Sequence, residues 1–468
     1  MKHSEIVERA RNIAQEPLLK PNREKMALIL EEYQRKTPKS AYFFRTAKGV
    51  IPHGSEHTLP PTHPYPLFID HGRGSHIWDV DGNEFIDYIL SGGAILLGHN
   101  NENLNRSITD LIQNRTNFHG YYDEMEIKAA QKIIEHFPSV EKVRFTSSGA
   151  EACLAAIRLA RSYTGKKKII KFRSDYHGWG DAFMTDMEIP GSERLIAHGI
   201  PSEVLDLTVL VSQDDLNELE EAFSTHANSG GIAAVIVEPM GGESGLVPFE
   251  ESFHKKAIEI AHRYGALYIF DEVVTGLRMG LGGAQAALGV MPDVTTLGKA
   301  LMNGYPSCGA VCGKADIMET LSTGLPGDRP YAYVAGTLAG NLLSVSAAYY
   351  NILELERPGV IGRLFRVAED YVTKLNDMFQ VKKRGFFAYN YGGIIRIELT
   401  APHAVPLTSP DAIAEVLTRR GILSHYALAV HNQGVLTRMG RDMISCSHTE
   451  EDNDRAAKAY EAMVDILE

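Results

Sequence analysis

The chain has 468 residues, 44% of them hydrophobic and 23% charged, with a formal net charge of −12. That length exceeds one small core, so two or three domains are expected. The acidic balance, with no basic tract longer than "GKKK" at 165–168, argues against nucleic acid or an anionic membrane as partner.

Residues 1–45 mix polar and apolar residues at helical spacing. Residues 46–76 carry Pro52, Pro60, Pro61, Pro64 and Pro66 with five scattered histidines, and read as irregular. "SHIWDVDGNEFIDYI" (75–89) predicts a hairpin turning at Asp81-Gly82. From about residue 140, strands and helices alternate. "KVRFTSS" is a strand and "AEACLAAIRLARSYTG" a helix ending at Gly165. "KKIIKF", "LTVLV" (207–211), "IAAVIVEP" (232–239) and "ALYIFDE" (266–272) are further strands, separated by amphipathic helices. Such a pattern predicts an α/β fold, with a largely parallel sheet covered on both faces. The stretch 341–380 reads as helical, and the remainder, with "IIRIEL" (394–399), as a smaller α+β part.

No 18-residue apolar run and no apolar leader is present in the sequence, and the four cysteines, Cys153, Cys308, Cys312 and Cys446, form no CxxC pair. These features predict free thiols, no zinc site and a cytoplasmic protein.

Ligands in open α/β sheets bind beyond the carboxyl ends of the strands. Ser147, Ser148 and Gly149 follow the first strand and open a helix, which offers an anion site but also describes any serine-capped helix. Tyr176 and His177 in "YHGW" can stack on a flat ring or pack at a rim. Asp271 and Glu272 follow a buried strand, and a buried carboxylate needs a partner. Lys299 in "VTTLGKALMNGYP" (294–306) lies between Gly298 and Gly304. Alone it reads first as a solvated surface charge; desolvated, it can have a lowered pKa and form a Schiff base. Together, the anion site, aromatic, carboxylate and amine are the groups that hold pyridoxal phosphate.

The motifs "IWDVDGNEFIDY" (77–88), "SSGAEACLAAIRLAR" (147–161), "KIIKFRSDYHGW" (168–179), "VIVEPMGG" (235–242), "FDEVVTGLR" (270–278), "PDVTTLGKALMNGYP" (292–306) and "AGTLAGN" (335–341) carry a resemblance. The chain resembles the class III, fold type I pyridoxal-phosphate aminotransferases, especially the glutamate-1-semialdehyde aminomutase-like branch. The resemblance implies a helical and irregular segment over 1–80, a large cofactor domain over 81–345 and a small domain over 346–468. It implies that Lys299 forms the Schiff base and moves the substrate proton, and that Asp271 keeps the pyridine nitrogen protonated. Val273 would pack under the ring and Tyr176 over it, with His177 beside it, while Ser148, Gly149 and Ala150 bind phosphate. Gly336 and Thr337 would reach the phosphate of a second subunit, so a homodimer is implied.

The chain departs from the branch in places. Ala150 stands where many relatives have a hydroxyl residue, and Glu243, expected near the cofactor hydroxyl, stands where the aminomutase has Asn. "IPHGSEHTLPPTHPYPLF" (51–68) has no Arg or Lys where the branch grips the substrate carboxylate, but has His53, His57 and His63. Arg278, Arg438 and Arg441 are the replacement candidates, with His57 at the substrate entrance. "MEIPGSERLIAHGIP" (187–201) is a candidate lid. The resemblance implies an aminotransferase acting on small-molecule amine and carbonyl substrates in ping-pong fashion. The alternative is an isomerase, either an aminomutase or an amino-acid racemase or epimerase; a non-catalytic binding protein is the third reading.

Overall fold

The computed structural model describes residues 1–56, 63–115, 121–186, 198–321, 331–407 and 410–468. His57 and most of the expected lid lie outside the described residues.

Three helices open the chain, His3–Gln15, Arg23–Lys36 and Pro38–Ala47. Asn22 caps the second by accepting from the N–H groups of Glu24 and Lys25, and Pro38 starts the third, where its missing N–H costs nothing. Three short strands follow: β1 (Ile69–Arg73), β2 (His76–Asp79) and β3 (Glu84–Asp87). The β2–β3 hairpin turns where expected. Asp79 Oδ1 accepts from the N–H groups of Asp81 (3.0 Å) and Asn83 (2.8 Å), and Gly82 takes φ +89°. β1 lies in the segment read as irregular; its pairing to β2 is shifted between Ile69 and His71, which breaks the strand pattern.

The central sheet comprises β4 (Lys142–Thr146), β5 (Lys168–Phe172), β6 (Thr208–Val211), β7 (Ile232–Val237), β8 (Leu267–Asp271), β9 (Val294–Gly298) and β10 (Gly309–Gly313). Its order is β4-β10-β9-β8-β7-β5-β6. β5 to β9 pair in parallel, while β10 runs antiparallel to both neighbours. Every residue of β7 to β10 is buried, as apolar runs covered on both faces require. Alternation along the strands sorts the side chains. Ile169, Ala234, Ile236 and Ile269 pack on the helix Gly149–Thr164. Ile170, Val235, Tyr268 and Phe270 pack on the other face, against Phe223, Phe253 and Ala257.

The stretch 341–380 is two helices, Leu342–Glu356 and Val360–Val381, broken at Pro358-Gly359, where Gly359 takes φ +85°. A second small sheet holds β11 (Phe387–Tyr391) and β12 (Ile394–Glu398). β13 (Val435–Leu436) runs parallel to β3, and β14 (Arg441–Met443) completes the β11-β12-β14 sheet. The first helix buries Ile6, Ala10 and Ile13 against Phe387 and Tyr389 of this small sheet and against Ala401, just past β12. No helix among the described residues is long and apolar enough to cross a membrane.

Candidate functional site at the strand ends

The parallel register brings the predicted residues to one edge of the sheet. Asp271 ends β8 and is register partner of Thr296 on β9. Lys299 follows β9 directly. Ser148 and Gly149 follow β4, Tyr176 and His177 follow β5, and Glu238 follows β7.

Asp271 is almost fully buried and accepts four hydrogen bonds. Oδ1 takes the N–H of Val273 (3.1 Å) and the hydroxyl of Thr296 (3.0 Å). Oδ2 takes His177 Nδ1 (2.7 Å) and Cys153 Sγ (3.3 Å). Burial works to raise its pKa, but His177 and the other donors outweigh it and hold the carboxyl below its usual range. His177 is therefore Asp271's partner and not a stacking ring. It is buried, and its Nε2 lies 3.8 Å from Asp175 Oδ2. Burial pushes the Cys153 thiol well above its usual pKa. It stays protonated as a donor, which counts against Cys153, His177 and Asp271 as a metal set, close as their atoms lie.

The two adjacent carboxylates divide. Glu272 faces away, accepting from Thr275 Oγ1 (3.1 Å), Ala284 N (2.5 Å) and both nitrogens of Gln285 (3.1 Å each). It organises the start of the helix Gly283–Leu288.

Lys299 is partly buried and takes φ +42°, a left-handed conformation that turns the chain abruptly out of β9. Its pKa is pushed down to about 8, first by burial and then by Arg441, against the pull of Asp271 and Glu238. Val273 packs beside it: a Cβ at Gly149 would lie 2.7 Å, and at Gly298 3.1 Å, from Val273 Cγ1. These two glycines are what let the helix start and the strand end close on Val273.

Ser148 Oγ caps the helix by accepting from Glu151 N (3.1 Å), and Glu151 reaches back to Ser147 N (2.8 Å). Among the described residues the N–H groups of Gly149 and Ala150 meet no acceptor, at the positive end of the helix. Gly178 presses on Ala150, where an added Cβ would lie 2.5 Å from Ala150 Cβ. Tyr176 is 45% exposed, so its ring is open to a ligand. Gly336 and Thr337 are exposed in the chain, Gly336 lying beside Ser147.

The arginine candidates separate. Arg278 is fully buried and does not serve the substrate. Its Nε donates to Gly93 O (2.8 Å), Nη1 to Ile444 O (2.9 Å) and Nη2 to Ile95 O (2.9 Å). Arg438 is exposed, and Arg441 Nη1 donates to Glu243 O (2.9 Å). Glu243, at φ +52°, turns its carboxylate to Arg420 (3.1 Å). His53 and His63 are exposed.

Sequence reasoning missed Cys153 and Thr296 as supports of Asp271. Cys153 lies four residues after Gly149, one helical turn along the face that packs on the sheet. Thr296 needs the β8–β9 register.

The donor set fits pyridoxal phosphate. Free helix N–H groups suit the phosphate, an ionised buried carboxylate suits a protonated ring nitrogen, and an easily deprotonated amine suits the aldehyde. Comparison with known proteins agrees. Residues 59–467 match the model of the family described as aminotransferase class-III. The chain is 35% identical over 450 residues to glutamate-1-semialdehyde 2,1-aminomutase 1 of Macrococcus caseolyticus, covering 92% of this chain and 99% of that one. It is 44% identical over 288 residues to glutamate-1-semialdehyde 2,1-aminomutase of Persephonella marina. That match covers 60% of this chain and spans 64% of the length of that relative. A solved structure described as "Transaminase with PLP bound" superposes with a TM-score of 0.80 at 27% identity, covering 92% of this chain and 97% of that one. The chain belongs to the class-III aminotransferase family and is an enzyme whose cofactor is pyridoxal phosphate.

Proposed function

We propose that the chain moves an amino group within one small substrate molecule, as an isomerase of the glutamate-1-semialdehyde aminomutase type. The curated relatives support this reading by name. The observation that carries the chemistry is the Lys299 amine with its pKa near 8, on the same sheet edge as the ionised Asp271.

When bound, pyridoxal phosphate supplies an aldehyde that condenses with amines and a protonated ring that draws electrons from the attached carbon. Asp271 would hold the ring-nitrogen proton, with His177, Cys153, Thr296 and Val273 N–H fixing its carboxylate in place. Lys299, half deprotonated near pH 8, would be the covalent anchor and the base that takes up and returns the substrate proton. Gly149 and Ala150 N–H, with Ser148, would bind the phosphate. Val273 and Tyr176 would face the ring, and burial of the surrounding strand ends would exclude water.

Thr337 and Gly336 complete the phosphate site of a second copy of the chain. The exposed Leu154, Trp179, Tyr333 and Leu338 support such a homodimer.

A second reading, transfer to a separate carbonyl acceptor, is favoured by the absence of Arg and Lys across 51–68 and by Glu243. One experiment separates the two. The cofactor-loaded protein is given a single amino aldehyde, with or without an added 2-oxo acid. Sustained turnover without the 2-oxo acid supports the isomerase. Stalling after one equivalent until the 2-oxo acid is added supports the aminotransferase.

A further inference from the structure

Lys299 opens a strained segment that is pinned from outside. Between residues 299 and 307, Lys299 (φ +42°), Asn303 (+47°), Gly304 (+85°) and Ser307 (+58°) take left-handed backbone, and three of the four are not glycine. Such conformations persist only where the surrounding structure fixes them. The helix Leu342–Glu356 supplies the fixing. Asn351 Nδ2 donates to Ala300 O (2.8 Å) and Leu301 O (3.0 Å), the two carbonyls that follow Lys299. Ser344, seven residues earlier and so on the same helix face, donates its hydroxyl to Pro306 O (2.8 Å). Cys308 Sγ adds a contact to Lys299 O (3.3 Å).

Asn351 is fully buried, and its Oδ1 has no hydrogen-bond partner among the described residues. A buried amide oxygen left unpaired is costly. Turning the amide over would set that oxygen against two carbonyl oxygens, so its neighbours fix which atom is nitrogen. The side chain is therefore there for its two N–H donors, and both go to the lysine turn.

The charges that act on the Lys299 amine come from elsewhere. Asp271 and Glu238 attract it, Arg441 and Arg438 repel it, and Cys153 and Cys308 are the other titratable groups facing it. None of these six stands on the helix Leu342–Glu356. Asn351 thus acts on the amine through the backbone that places it.

We propose that Asn351 is the positioning residue of Lys299: its amide holds the turn that keeps the amine desolvated at the strand edge, where the cofactor aldehyde is to meet it. This rests on the assignment of Lys299 as the amine that binds the cofactor.

The test follows the amine itself. Cofactor-free protein is trace-labelled with acetic anhydride across a pH series, and the Lys299 peptide is read by mass spectrometry. In the wild type the amine should titrate at about 8. N351L removes both donors and relaxes the burial, so the midpoint should rise by about one pH unit or more. Capture of pyridoxal phosphate at pH 8, followed by absorbance, should then slow about fivefold, as the deprotonated fraction falls from about one half to about one in eleven. Lys171 is the internal control. It is fully buried on β5, has its own pKa pushed down to about 8, and donates to Phe172 O and Thr185 O. It should label as in the wild type, whereas a general loosening would change both lysines. N351A, which makes no steric demand, is run beside N351L and should give the same shift. A folded N351L or N351A protein with wild-type Lys299 labelling and capture overturns the proposal, and so does a change shared by Lys171. If borohydride reduction places the cofactor on another lysine, the proposed function falls instead, and the Lys299 labelling profile still decides the role of Asn351.

Discussion

Replacing Asp271 by Asn tests the electrostatic half of the site. All four groups on the carboxylate are donors: Val273 N–H, Thr296 Oγ–H, His177 Nδ1–H and Cys153 S–H. An amide has one acceptor oxygen, so its NH2 must turn towards one of the two donor pairs. It will turn to His177, whose ring can move its proton to Nε2, which faces Asp175 at 3.8 Å. The fold survives, but the negative charge proposed to face the ring nitrogen is lost. A hydrogen bond to a charged group is worth about 1.5–3 kcal/mol. At 1.36 kcal/mol per tenfold, pyridoxal phosphate should bind roughly 10- to 150-fold more weakly. Turnover at saturating cofactor should fall by a further hundredfold or so, the scale of removing one preorganised charge-stabilising contact. Cofactor titration by absorbance, alongside circular dichroism, reads both. A folded Asp271→Asn protein with unchanged cofactor affinity and turnover would refute the assignment.

Other expectations follow from the same geometry. The capture of pyridoxal phosphate should accelerate as pH rises through about 8, where Lys299 loses its proton, and not near 10.5; stopped-flow absorbance measures it. The folded chain gives up that proton between about 8 and 10.5 while the unfolded chain keeps it, so Lys299 makes cofactor-free protein gain stability as pH rises across that window. The gain should vanish in Lys299→Met, as urea melts at several pH values would show. Arg278→Met strips the donors from Gly93, Ile95 and Ile444 carbonyls, at about 1–3 kcal/mol each. A loss of about 3–9 kcal/mol in urea unfolding is expected, and one below about 1 kcal/mol contradicts a structural role. Gly149→Ala drives a methyl into Val273, so cofactor affinity should fall about tenfold or more while the far-ultraviolet spectrum is kept.

The strands of the central sheet were legible because buried parallel strands are continuous apolar runs, as in "IAAVIVEP" and "ALYIFDE". β10 was not, since "GAVCG" is short and glycine-bounded. Its glycines are there because neighbours crowd both ends: a Cβ at Gly309 would lie 2.3 Å from Ser148 O, and at Gly313 2.4 Å from Asp293 O. Lys299, Asp271 and the Ser148–Ala150 turn were readable because each follows a strand, and strand ends converge. What a long side chain does after that is set by tertiary neighbours. Arg278 stands in a motif beside the site, yet its guanidinium turns away to three carbonyls. Arg396 sits in an ordinary-looking strand, "IIRIEL", yet register sets it opposite Arg441. His177 looked like a ring to stack on, but the β5–β8 geometry brings it to Asp271.

The most direct test of the central claim is chemical trapping. The protein is incubated with pyridoxal phosphate, reduced with borohydride, digested and read by mass spectrometry. The account predicts a reduced cofactor adduct on the peptide carrying Lys299, absent in Lys299→Ala. An unmodified Lys299 peptide, or an adduct on another lysine that persists in Lys299→Ala with full activity, would contradict it.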